Sequence, residues 1–227
     1  MTEPAGALER LDEITRRLRR ECPWDREQDE RSIVPHTVEE AYELADAARS
    51  GDDAKLLDEL GDVLFQVYFL SLLLEERGAG DLGQVADHCR RKLIRRHPHV
   101  FGEVQADDAA AVLDNWDAIK RETERGGEIF GELPETLPST LYARKVLRRA
   151  SGAGHDWPPG PPLAQLQEEA ARLAAAGTRG ERFDAAGSLL LAAVAAVGDA
   201  GADPELALRS AADRFRNDTE QEVRGTT

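Results

Sequence analysis

Apolar residues recur along this chain at intervals of three and four and nowhere alternate with polar ones over the length of a strand, so the sequence predicts an all-α protein. A first helix is expected over residues 7–20, stopping ahead of Pro23. A second begins near Ser32, carries Pro35 in its first turn and ends at Gly51. Asp52 or Asp53 caps a long third helix that ends near Arg77 and Gly78. A fourth spans residues 81–96 ahead of Pro98, and a fifth residues 107–125 ahead of Gly126 and Gly127. Within the third helix, residues 63–70 are apolar on nearly every face, the pattern of a buried helix.

The rest of the chain reads as a worn second copy of the first part. Leu147-Arg148-Arg149 followed by His155-Asp156-Trp157-Pro158 echoes Leu18-Arg19-Arg20 followed by Cys22-Pro23-Trp24-Asp25, and Glu168-Glu169 echoes Glu39-Glu40. Arg172, Ala185 and Ser188 stand where Glu43, Glu59 and Asp62 do in the first copy, while Gly187 and Leu189-Leu190-Leu191 still match Gly61 and Val63-Leu64-Phe65. Packing positions survive and acidic ones do not. Gly126-Gly127 and the prolines at 134 and 138 separate the copies, giving expected domains of 1–127 and 128–227. The alanines of 192–196 suggest close helix packing. An apolar face on Leu163, Leu166, Leu189, Leu190 and Val194 is expected to be covered, and Trp24 and Trp157 are expected to pack inside their domains.

Charge narrows the function. With 29 basic against 44 acidic residues the formal charge is −15, which argues against a nucleic-acid backbone as partner. The longest apolar stretch, residues 63–74, is interrupted by Gln66 and Ser71 and too short to span a bilayer, and no apolar signal-peptide core opens the sequence, so a cytoplasmic protein with no membrane partner is expected. Cys22 and Cys89 lack metal-ligand spacing and are read as reduced thiols.

The candidate chemistry lies in two acidic clusters, Glu39-Glu40-Ala41-Tyr42-Glu43 and Glu59-Leu60-Gly61-Asp62. Residues three or four apart share a helix face, so Glu40 with Glu43 and Glu59 with Asp62 form two carboxylate pairs. A solvated acidic face, or a capping box formed by Thr37 and Glu40, would explain the first cluster by itself. The second lies against the apolar segment 63–70, where carboxylates are costly unless paired or metal-bound. Oxygen donors without Cys or His favour Mg²⁺, with Mn²⁺ possible, and magnesium held by carboxylates commonly also holds substrate phosphates. A redox di-iron bundle would want Glu-x-x-His pairs, which do not occur, and His97 and His99 lack the further donors of a zinc site.

These clusters, preceded by Cys22-Pro23-Trp24-Asp25 and followed by the run Lys92-Leu93-Ile94-Arg95-Arg96-His97-Pro98-His99-Val100-Phe101-Gly102, resemble the MazG nucleoside triphosphate pyrophosphohydrolases. The resemblance runs in order from about residue 8 to 120 and more weakly to the end. It implies tandem MazG-like helical bundles, the second degenerate and structural. It also implies a homodimer, for which the apolar surface of the third helix argues independently. The implied activity is hydrolysis of a nucleoside triphosphate to monophosphate and pyrophosphate, with broad base tolerance. Glu40, Glu43, Glu59 and Asp62 would hold the metal, and Glu39 would orient the attacking water. Lys55, Asp58, Lys92, Arg95, Arg96, Trp116 and Lys120 would bind substrate, with the Trp116 ring near the base. His36 stands where some relatives carry Lys, which alters the phosphate contact on that side. A narrower specificity for dUTP, dCTP or an oxidised nucleotide, or a non-catalytic regulatory role, are the alternatives.

Overall fold

The computed structural model describes residues 3–102, 109–124, 126–157 and 160–225, and among them only helices and connecting turns occur. The protein is all-α. By packing it divides into two units, residues 1–95 and 96–227.

In the first unit, α1 (Pro4–Glu21) ends where Pro23 opens the short α2 (Pro23–Glu27), a turn of helix that the sequence pattern does not predict. α3 (Glu30–Ser50) starts two residues earlier than expected because Asp29 and Ser32 form the capping box. The Asp29 carboxylate accepts from the Arg31 and Ser32 amides at 2.9 Å each, and Ser32 Oγ accepts from the Asp29 amide. Thr37 is therefore interior to the helix, not a cap. Pro35 falls in the second turn, where the helix forgoes one backbone bond. Gly51 takes the left-handed conformation, φ 71°, that a side chain would oppose, and Asp52 caps α4 (Asp53–Glu76) through the Ala54 and Lys55 amides. With only Gly51 and Asp52 between them, α3 and α4 pack as an antiparallel hairpin.

That hairpin carries the core. Phe69, with no exposed surface, packs with Ile33 and Leu73, flanked by Phe65 and Leu70. Each such side chain contributes roughly 1.5–3 kcal/mol on burial. α1 is fastened to the far end of α4 by two forked ion pairs: Arg16 bonds both oxygens of Glu75 at 2.9 and 2.6 Å, and Arg19 both oxygens of Glu76 at 2.8 Å. α4 is not buried along its whole length. Its C-terminal half supplies the core, whereas Leu57, Leu60, Leu64 and Val67 form an exposed stripe, with Val34 and Val38 exposed on α3. α5 (Leu82–Arg96) follows, capped by Asp81 through the Gln84 amide.

The second unit holds α6 (Pro98–Phe101), α7 (Ala109–Glu124), α8 (Ser139–Ser151), α9 (Pro162–Ala175), α10 (Arg179–Asp199) and α11 (Pro204–Gly225). The expected start of the fifth helix at 107 lies outside the described residues. The packing division falls before α7, and α7 is tied to α8: Arg121 donates to the Gly152 carbonyl at 2.7 Å, and Trp116 lies beside Arg148. α9 and α10 pack on each other, with Ala185, Ala192, Val194 and Ala196 buried. Leu163 and Leu190, expected to be covered, are both exposed. Among the described residues no single helix is long and apolar enough to cross a membrane; α10 and α11 pass such a test only as a pair bent by 102°.

Candidate metal and nucleotide site

The antiparallel hairpin of α3 and α4 sets the two acidic pairs against each other. One carboxylate oxygen from each of Glu40, Glu43 and Glu59 lies within 4.8 Å of the others. Thr37 pins this register by bonding Gln66 Oε1 at 3.3 Å across the hairpin, in addition to the Ile33 carbonyl of its own helix. Asp62 stands outside the triad, yet of the neighbouring carboxylates it acts most strongly on Glu40, while Glu43 does so on Glu59.

Burial first, and then this crowding of like charge, holds the Glu40 carboxyl above its ordinary range. Glu59 is raised for the same two reasons, with Lys55, one turn earlier on α4, opposing the shift. Glu59 is 8 % exposed and its Oε2 has no hydrogen-bond partner. It is screened by its immediate neighbours rather than by depth, since the site opens on the surface of the hairpin, where Glu43 is exposed. A shielded carboxylate oxygen without a donor is costly, and a cation is what three converging carboxylates lack. The residues present therefore fit a hard divalent ion with oxygen ligands.

The remaining residues expected of the site fall in two groups. In the first unit, His36 lies one turn before Glu40, with Nδ1 3.6 Å from Glu39 Oε2, and Glu39 itself is largely exposed. Lys55 and Asp58 flank Glu59 on α4, and Lys92 and Arg95 lie at the end of α5. In the second unit, three cations gather on one indole. Around the Trp116 ring centroid stand Lys120 Nζ at 4.6 Å and the guanidinium carbons of Arg96 at 5.1 Å and Arg148 at 5.5 Å. Arg148 is absent from the sequence expectation because the repeat assigned its helix to a structural copy.

Trp24 corrects another expectation. It is 52 % exposed, and its ring meets His36 edge to face at 5.9 Å instead of packing in the core. On α9, the glutamate that the sequence reading pairs with Glu40 has its charge met from within. Glu169 is buried and its carboxylate takes Arg172 Nη1 at 2.9 and 3.0 Å and Gln165 Nε2 at 2.8 Å.

Known proteins are similar to this chain over most of its length. The MazG nucleotide pyrophosphohydrolase domain matches residues 28–101, a span that contains both acidic clusters. A nucleoside triphosphate pyrophosphohydrolase of Escherichia coli K12 is 35% identical over 221 residues, covering 92% of this chain and 84% of its own. A nucleoside triphosphate pyrophosphohydrolase/pyrophosphatase MazG of Thermotoga maritima is 36% identical over 221 residues, covering 95% and 85%. Among solved structures, the crystal structure of a mazG-related protein from Thermotoga maritima aligns at 26% identity with a TM-score of 0.43, over 50% of this chain and 98% of that one. With relatives aligned along nearly its full length and the domain match lying on the hairpin that gathers the carboxylates, the chain belongs to the MazG nucleotide pyrophosphohydrolase family.

Proposed function

We propose that the protein hydrolyses nucleoside triphosphates to nucleoside monophosphate and pyrophosphate, with Mg²⁺ as its metal. The observation that carries the proposal is the shielded, unpartnered Oε2 of Glu59 within the Glu40, Glu43 and Glu59 triad, in a chain whose relatives are named for this activity. Glu40, Glu43 and Glu59 would hold the ion, and Asp62 would join them by a side-chain rotation. When bound, magnesium supplies positive charge to the triphosphate and makes an attacking water more acidic. Glu39, exposed at the edge of the triad, would orient that water toward the α-phosphorus, and His36 beside it would steady Glu39. Lys55 would offset the charge of Glu59, and Asp58 shares its stretch of α4. Contacts to the phosphates and base would come from Lys92, Arg95, Arg96, Trp116 and Lys120, the positions that carry the family resemblance, with the indole giving broad base tolerance because it reads the π-face alone.

A cytoplasmic homodimer is part of the same proposal. Leu57, Leu60, Leu64 and Val67 on α4 and Val34 and Val38 on α3 leave an apolar face exposed next to the acidic pairs, a surface suited to a second copy. Residues 1–127 would form the catalytic domain and 128–227 a degenerate structural copy.

The test is incubation with a panel of nucleoside triphosphates and Mg²⁺, with products resolved by chromatography. Monophosphate and pyrophosphate as primary products are expected. Diphosphate and orthophosphate would refute the proposal.

A further inference from the structure

Trp24 is half exposed although the short helix that carries it is held from several sides. Pro23 sets the first turn of α2, Gln28 Nε2 donates to the Trp24 carbonyl at 2.8 Å, and Asp25 is buried. Arg19 reaches over from α1 and donates to the carbonyls of Asp25 and Gln28 at 2.5 and 2.9 Å. The backbone beneath the indole is thus fixed at both ends of α2, while half of this large apolar side chain stands in water. Leaving that much indole uncovered forfeits hydrophobic stabilisation and is expected where a ring is kept for a ligand.

The neighbours say which ligand. His36 meets the indole edge to face, and from His36 the face of α3 continues to Glu39 at 3.6 Å and, one turn on, to Glu40 of the triad. One turn separates Cβ atoms by about 5–6 Å. The Trp24 ring centroid stands 5.9 Å from that of His36, so the span from ring to triad is one that a ribose crosses together with its phosphates. Trp24 also belongs to the same packing unit as the carboxylates, whereas Trp116 belongs to the other.

We propose that Trp24, backed by His36, is a stacking wall for the nucleobase of a nucleotide whose phosphates are held at the Glu40, Glu43 and Glu59 triad. The assignment rests on the function proposed above and adds to it an aromatic contact from the unit that carries the carboxylates. A stacking wall reads the π-face of the base and leaves its edges free, so it raises affinity for every base and discriminates against base-free polyphosphates.

The chain has three tryptophans, so Trp116→Phe with Trp157→Phe leaves Trp24 as the sole indole. Titrating that variant with magnesium and an α,β-methylene nucleoside triphosphate, which resists cleavage between the α and β phosphorus atoms, should change Trp24 emission saturably. Inorganic tripolyphosphate should leave it unchanged. In steady state, Trp24→Ala should raise KM for all nucleoside triphosphates roughly 5- to 150-fold with a smaller effect on kcat, and Trp24→Phe should restore most of the loss. Silent Trp24 emission on nucleotide addition would overturn the assignment, and because it is read with Trp24 in place it decides even if Trp24→Ala fails to fold. An unchanged KM in Trp24→Ala with an altered mass by light scattering would overturn it too, assigning the indole to a subunit contact. If wild type releases no pyrophosphate while the emission change saturates, the proposed reaction fails and the wall stands. Turnover in wild type with silent Trp24 emission leaves the reaction standing and removes the wall.

Discussion

Replacing Glu59 with Gln should move stability in opposite directions with and without magnesium. In the metal-free protein the Glu59 carboxylate is shielded, lacks a partner for Oε2 and faces the charges of Glu43, Asp62 and Asp58. An amide of similar size relieves that repulsion, so the metal-free variant should melt above wild type. Magnesium reverses the order. An ion present at a hundred times its dissociation constant stabilises the folded state by about 2.7 kcal/mol, which for a chain of this size is a rise in Tm of about 5–10 °C. Losing a direct ligand should weaken binding by at least the roughly 10- to 100-fold that a lost supporting partner of a ligand costs. A hundredfold loss at the same magnesium concentration leaves the ion at its dissociation constant, and the rise shrinks to about 1–2 °C.

The same electrostatics give this prediction a pH signature. Glu40 and Glu59 are held above the ordinary carboxylate range, so the native state binds their protons more tightly than the unfolded chain does. Stability from such groups is fully present below the unfolded value of about 4.3 and is lost as pH rises through the raised native value. The metal-free Tm should fall across that interval, and Glu59→Gln should flatten the fall. Differential scanning fluorimetry with EDTA and with a magnesium series reads every one of these states. An undiminished magnesium shift in Glu59→Gln would place the ion elsewhere, and a metal-free variant melting below wild type would mean that the charge of Glu59 is satisfied within the fold.

Three further outcomes are expected. Glu75 and Glu76 are held low by their bonds to Arg16 and Arg19, so their contribution is present above about pH 4.3 and lost as pH falls through the lowered native values; Arg16→Ala with Arg19→Ala should remove that acid limb from a circular-dichroism titration, and an unaltered limb would count against the assignment. Trp116→Ala should raise KM by a similar factor for all bases, on the order of 5- to 150-fold, whereas loss for one base alone would point to edge recognition. Glu168→Ala with Glu169→Ala should leave kcat nearly unchanged in a pyrophosphate-release assay while lowering stability by about 1–3 kcal/mol through the bonds Glu169 makes to Arg172 and Gln165, and a severe loss of kcat with normal folding would give the second copy a part in catalysis.

What could be read in advance was what is local. Helical periodicity, the glycine at 51 and the aspartate at 52 are enough to give α3, α4 and the tight link between them, and from that link the meeting of Glu40 and Glu43 with Glu59 follows by geometry alone. What stayed hidden depends on contacts distant in sequence or on rotamers. An indole in a Pro-Trp-Asp turn reads as core until α1 is seen to hold α2 by its backbone and leave the ring outside. Asp62 has the right spacing yet stands outside the group of three, a distinction of a few ångströms that periodicity does not encode. Arg148 reaches Trp116 where α7 is tied to α8 through Arg121 and the Gly152 carbonyl, a contact between residues far apart in sequence.

The two hairpins answer one electrostatic problem in different ways. Each folds a glutamate into the groove between two helices, Glu40 in the first and Glu169 in the second, and a shielded carboxylate must find positive charge or donors. In the second hairpin the answer is internal. Arg172 turns its guanidinium onto Glu169, one helical turn away on α9. Between α3 and α4 the groove is acidic; Lys55 opposes the shift of Glu59 from one turn earlier, and burial followed by the crowding of like charge still raises the Glu40 and Glu59 carboxyls. Glu169 is thus satisfied as folded, whereas the α3–α4 carboxylates carry a cost that a bound cation would remove. A surface carboxylate pair left over from chance would have been solvated and unstrained. The contrast between a satisfied Glu169 and an orphaned Glu59 within one chain is therefore the strongest structural reason to look for metal between α3 and α4 and not between α9 and α10.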